Sequence, residues 1–167
     1  MSTLKMGTSD VMTENSGTVT WGTTAPTGTI IGVENTTTTS IVAKSDSTFT
    51  TIISDSITVK AGSKVLINVS IPISASSDSS PAGGQILQNG TASATIMSST
   101  EVMDEHHASS GGYFGGTFMS GVLSAGTYTF SFQGNRLSGS HTVYFVSANP
   151  GSGSASIATM TLYEIAG

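Results

Sequence analysis

The chain has 167 residues, with 5 basic and 10 acidic side chains, a formal net charge of −5 and only 9% charged residues; globular chains average about 25%. An acidic chain without a basic stripe is poorly built to neutralise nucleic-acid phosphates or to lie on anionic lipid, so neither a nucleic acid nor a membrane is expected as a partner. It contains no cysteine, which excludes a disulfide framework and any thiolate-held metal.

Residues 1–16 are polar, with little periodicity. They hold one lysine and no apolar core of a leader, so no secretory signal is expected. No apolar run approaches the length of a spanning helix. Strand patterning begins at Thr18–Trp21 and Thr29–Val33. The Thr36–Thr39 tract is low in complexity and reads as a joint. We therefore expect an extended N-terminal arm over residues 1–37 and a compact domain over 38–167. The arm holds Val19, Trp21, Ile30, Ile31 and Val33, enough to pair as strands but too little for a core of its own. Trp21, the only tryptophan, is the expected anchor of that arm on a neighbouring chain.

From residue 39 onward, strand signals dominate. Short strands are predicted at Thr39–Ala43, Phe49–Ile53 and Ile57–Lys60. In Lys64–Ile73 the side chains of Val65, Ile67, Val69, Ile71 and Ile73 all fall on one face, the period of a half-buried strand. Gly84–Gln88, Ala92–Met97 and Thr117–Leu123 follow. Tyr128, Phe130 and Phe132 then mark a second strongly alternating strand, with His141–Val146 and Ile157–Ile165 behind it. Turn chemistry separates these segments at Ala61-Gly62, Asn89-Gly90, Ala125-Gly126, Gly134-Asn135 and Asn149-Pro150-Gly151. Good helix formers are sparse and no window carries a helical apolar repeat. Many short strands with regular turns predict an all-β fold, an antiparallel two-sheet sandwich or barrel.

Signals for chemistry are thin. Asp104-Glu105-His106-His107 is the one dense group of titratable side chains, with Asp78 and His141 as distant candidates to complete it. Adjacent histidines on a strand point to opposite faces, so a solvated loop or an intersubunit contact is the expectation, and no metal or cofactor is assigned. No nucleophile elbow or phosphate-binding loop is present, and no enzyme activity or catalytic residue is predicted. The glycine-rich stretch Gly111–Gly116 reads as a flexible connection between strands. Its aromatics Tyr113 and Phe114, with Asn135 and Arg136, are the candidate ligand-contacting loop residues. About a third of the chain is Ser or Thr. A surface so poor in charge suits a protein with much of its area in permanent contacts, or one carried on the outside of a particle.

Two stretches carry a family resemblance. Phe118 followed by Gly126-Thr127-Tyr128-Thr129-Phe130 resembles the F…G-x-Y-x-F signature of the C1q/TNF-like jelly roll. The C-terminal strand Ala158–Ile165 and the segment Ser63–Ser70 are similar to strands of small Ser/Thr-rich virion proteins of marine and cyanobacterial tailed phages. The resemblance implies a jelly roll that assembles as a homotrimer, with the last strand near the shared axis. Met160, Leu162 and Ile165 are then the expected axis residues. It also implies a function: a capsid decoration (cement) protein on the outer surface of a phage head, with the major capsid protein or another virion protein as partner. The alternatives are the receptor-binding tip of a tail fibre that recognises host glycan, and a bacterial C1q-like binding module.

Overall fold

The computed structural model describes residues 2–6, 9–15, 18–21, 25–76, 80–91, 93–103, 111–148 and 155–167. Among the described residues there are thirteen strands: β1 (Ser2–Met6), β2 (Ser9–Asn15), β3 (Thr18–Trp21), β4 (Ile30–Thr38), β5 (Val42–Lys44), β6 (Thr50–Val59), β7 (Lys64–Ala75), β8 (Ala82–Gly90), β9 (Ala94–Met103), β10 (Gly112–Met119), β11 (Gly126–Arg136), β12 (Val143–Phe145) and β13 (Ala158–Ile165). No helix occurs among the described residues.

The strands form three antiparallel sheets. β1, β2 and β3 form a small meander of their own. The other strands build a sandwich. In its first sheet, β7 is the central strand. One edge of β7 pairs with β13 over Lys64–Ser70 and then with β12 over Ile73–Ala75. The other edge pairs with β10. β4 lies outside β13, and β5 outside β12. The second sheet runs β6–β11–β8–β9. Following the long strands, the chain visits the sheets in the order first, second, first, second, second, first, second, first. That alternation, with every pair antiparallel, is a jelly roll.

The core forms because both sheets present an apolar face every second residue. Val65, Ile67, Val69, Ile71 and Ile73 of β7 are all buried, opposite Tyr128, Phe130 and Phe132 of β11. Phe114 stacks on Phe132 at 5.5 Å, and Phe132 meets Phe145 edge-on at 6.3 Å. Each such aromatic pair is worth about 1 kcal/mol beyond its buried area.

Several boundaries differ from those read in the sequence. Phe49–Ile53 and Ile57–Lys60 are parts of one strand, β6, because the polar stretch between them pairs with β11 without a break. Thr36–Thr38 is the end of β4 rather than a joint, so the sheet of the jelly roll starts at Ile30, inside the segment assigned to the arm. Ile30 and Val33 pair with β13 of the same chain. Residues 2–21 are strands of a meander where an extended arm was expected. Gly134-Asn135 is not a turn but lies within β11. The ring of Phe145 rests directly on Gly134, where any Cβ would collide with it. The Asn149-Pro150-Gly151 turn lies outside the described residues.

Candidate interaction surface

The two outer faces of the sandwich differ in chemistry. On the second sheet, many outward side chains of β6, β8 and β11 are hydroxyls and amides that bond across strands, with Leu87 and Glu101 beside them. Ser56 Oγ and Thr129 Oγ1 are 2.8 Å apart, as are Thr58 Oγ1 and Thr127 Oγ1. Gln85 Nε2 donates to Gln133 Oε1 at 2.8 Å. Such cross-strand pairs satisfy each other's polar groups within the sheet.

The first sheet is different at the end that carries the chain's C-terminus. The register places Val33, Tyr163, Leu66 and Met119 in one row across four strands. Ile30, Ile165 and Lys64 form the next row. Val33 is 53% exposed and Met119 48%. Further along the sheet, the rows turn polar: Asn35, Thr161, Asn68 and Thr117, with Asn35 Nδ2 donating to Thr161 Oγ1 at 2.7 Å. An apolar band bordered by a polar one is the usual make-up of a contact surface.

The residues singled out in the sequence are dispersed by the fold. Met160 and Leu162 are 0% exposed and point between the sheets. They belong to this chain's own core and are not available to a trimer axis, which corrects that expectation. The side chains of β13 alternate, so the outward set is Thr159, Thr161, Tyr163 and Ile165. Only Ile165 of the three expected axis residues faces out. Tyr163 and Leu66 were missed, although the alternation of each strand carries them.

Tyr113 and Phe114 lie on a strand, not a loop. Tyr113 is exposed on the outer face of β10, while Phe114 packs inward against the core. Asn135 is buried and its Nδ2 donates to Ser47 O at 2.8 Å. Arg136 is half-buried and donates from NH1 to His141 O at 3.2 Å. Asn135 and Arg136 belong to the second sheet and Tyr113 and Phe114 to the first, so the four do not make one ligand loop. Trp21 ends β3, paired with Met12; its side chain lies outside the described residues. Asp78 and the Asp104-Glu105-His106-His107 group lie outside them too. Among the described residues, no three His, Cys, Asp or Glu side chains converge as a metal site.

Two polar features fix the loops at opposite ends. Glu164 is only 4% exposed, and its Oε1 accepts from Lys60 N and Ser63 Oγ, each at 2.7 Å. Lys44 Nζ donates to Thr50 Oγ1 at 3.0 Å and pairs with Asp46 Oδ1 at 2.9 Å. The hydrogen bond from Lys44, followed by that from Thr48 N, holds the Asp46 carboxyl below the ordinary carboxylate range.

No protein-family model and no curated protein matches the chain. Solved structures of viral particles are similar in part. The structure of infectious bursal disease virus Gx strain aligns over 100% of this chain and 44% of its own, at 10% identity and a TM-score of 0.45. The infectious bursal disease virus VP2 subviral particle aligns over 81% and 37%, at 11% identity and a TM-score of 0.45. Particles of T=1 type derived from the same virus align over 92% and 39%, at 12% identity and a TM-score of 0.41. The chain thus spans less than half the length of each. The jelly-roll assignment rests on the strand order of this chain.

Proposed function

We propose that this protein is a structural subunit of a virion: a trimeric decoration protein that clamps the outer surface of a phage head. The observation that carries the reading is the contrast between the two outer faces. One offers an apolar band for association, and the other a surface rich in Ser, Thr and Gln suited to permanent exposure. The trimer contact belongs on the outer face of the first sheet, with Tyr163 and Leu66 central and Ile30, Val33 and Ile165 around them. The acidic balance favours the outside of a particle over the DNA-filled inside.

The experiment is to add purified protein to emptied phage heads and count the copies retained. A decoration protein saturates in proportion to capsomers, and light scattering of the free protein gives three times the 16.9 kDa chain mass. A monomer at micromolar concentration that ignores heads would overturn the reading. A second reading, a tail-fibre tip that grips host glycan, draws on the exposed ring of Tyr113. It predicts binding to host cells and no retention on heads.

A further inference from the structure

A sheet edge exposes a row of unpaired N–H and C=O groups, and proteins blunt such edges with charges, bulges or proline. Three of the four long edge strands here are blunted. β4 carries Glu34 and sits against a bulge at Glu164/Ile165. β6 carries Asp55, on its inward face, and a register shift opposite Phe132/Gln133. β9 carries Glu101 and several register shifts. β10 has none of these devices. It contains no charged residue and no proline, and its ladder with β7 runs from Gly112↔Ile73 to Met119↔Leu66 without a shift.

The direction of its free groups can be read from the adjoining residue. Ser120 N donates to Val65 O at 2.9 Å, so Ser120 turns its backbone groups toward β7. Antiparallel ladders alternate. Tyr113, Gly115, Thr117 and Met119 therefore aim their N–H and C=O groups at the open edge, and among the described residues no strand pairs there.

We infer that this edge pairs with the same strand of a second copy, antiparallel about a two-fold axis at Gly116. In that register Tyr113 lies opposite Met119 of the second copy, and Gly115 opposite Thr117 of the second copy. These are the residues whose backbone groups point away from β7, and they make about eight hydrogen bonds between the strands. Phe114 lies opposite Phe118 of the second copy on the inner face. The axis position must be small, because the ring of Phe118 already lies across Gly116 at 2.5 Å from where a Cβ would stand.

Charge makes this the edge at which a second copy is accepted. Joining copies of an acidic chain at β4, β6 or β9 brings carboxylates toward carboxylates, and joining them at β10 brings none. The pairing also covers two exposed apolar side chains, Tyr113 at 66% and Met119 at 48%. The contact is a single eight-residue strand wide, small for a specific interface, so the association is weak in solution and strengthens when copies are held side by side. Combined with the three-fold contact proposed above, it links trimers edge to edge into a layer. The pairing itself does not depend on that contact.

The chain has no cysteine, which permits a register-specific test. Tyr113→Cys and Met119→Cys are made separately, mixed and oxidised. Opposed Cα atoms in a hydrogen-bonded antiparallel pair are about 5.5 Å apart, within disulfide reach. Two copies of position 113 are about 20 Å apart in this register. The mixture should crosslink to a dimer quickly, while neither variant does so alone. Adding Gly115→Pro, which removes only a free-edge N–H, or Thr117→Lys should abolish crosslinking with the melting temperature retained. Equal crosslinking with and without mixing, or crosslinking that survives both edge variants, would overturn the proposal. Charging Tyr163 tests the three-fold contact separately: it should dissolve the trimer and leave the mixed crosslink unchanged.

Discussion

The hydroxyl of Ser63 donates to Glu164 Oε1 over 2.7 Å, so the turn between β6 and β7 is tied to the final strand by a buried carboxylate. Lys60 N donates to the same oxygen at 2.7 Å. One side chain thus joins the end of the second sheet to the end of the first. Glu164→Ala would strand the buried hydroxyl of Ser63 and the part-buried N–H of Lys60, at a cost of about 2 kcal/mol. For a chain of this size that lowers the melting temperature by roughly 4–8 °C. Glu164→Gln keeps an acceptor oxygen and should lose clearly less. Equal loss for the two variants in thermal denaturation would show that packing, not hydrogen bonding, is the role of this residue.

Leu162 and Tyr163 are neighbours in sequence and opposites in role. Leu162 is buried between the sheets, so Leu162→Ala leaves a cavity and should cost about 3 kcal/mol of stability in urea unfolding. Tyr163 faces outward beside Leu66. On the proposed trimeric assembly, Tyr163→Lys should leave the fold intact and shift the mass in light scattering from trimer to monomer. A trimer unaffected by Tyr163→Lys would remove the outer face of the first sheet from the assembly.

Gly134 lies under the ring of Phe145. Gly134→Ala overpacks this site and should destabilise by about 1–3 kcal/mol. Gly112→Ala, on a position with open space around it, should change the melting temperature little. The pair separates a steric need for glycine from the general entropy of a glycine in a strand.

Asp46 supplies a pH signature. Its carboxyl is depressed in the folded chain, chiefly by the hydrogen bond from Lys44. A depressed acid contributes stability that is present above its unfolded value, about 3.9. That contribution is lost as pH falls through the lower folded value. Asp46→Asn should therefore lose stability less steeply than the parent below about pH 4. Parallel urea midpoints for the two proteins across that range would mean that the Lys44 pairing contributes nothing.

Much of the sandwich was legible in the chain. Val65 to Ile73 and Tyr128 to Phe132 alternate strictly because each strand has one buried face, and burial selects apolar side chains at a period of two. The same rule assigns Met160 and Leu162 to one side of β13 and Tyr163 to the other. Which side faced the core was not legible, since both sides carry large apolar residues. The stretch Gly111–Gly116 reads as a loop by composition. It is a strand because β7 supplies a continuous ladder and Phe114 and Phe118 pack against the core. Here tertiary pairing overrides the low strand propensity of glycine.

The sequence by itself determined an all-β, weakly charged chain with its two central core strands, because alternation and turn residues are local properties. Only the tertiary structure decided which surface is apolar and which edge is open. Val33, Leu66, Met119 and Tyr163 come from four distant segments, and strand order alone sets them in one row. The exposure of β10 likewise depends on which strands lie at the ends of the sheets. No window of sequence encodes that order, because it is chosen by the packing of the whole core.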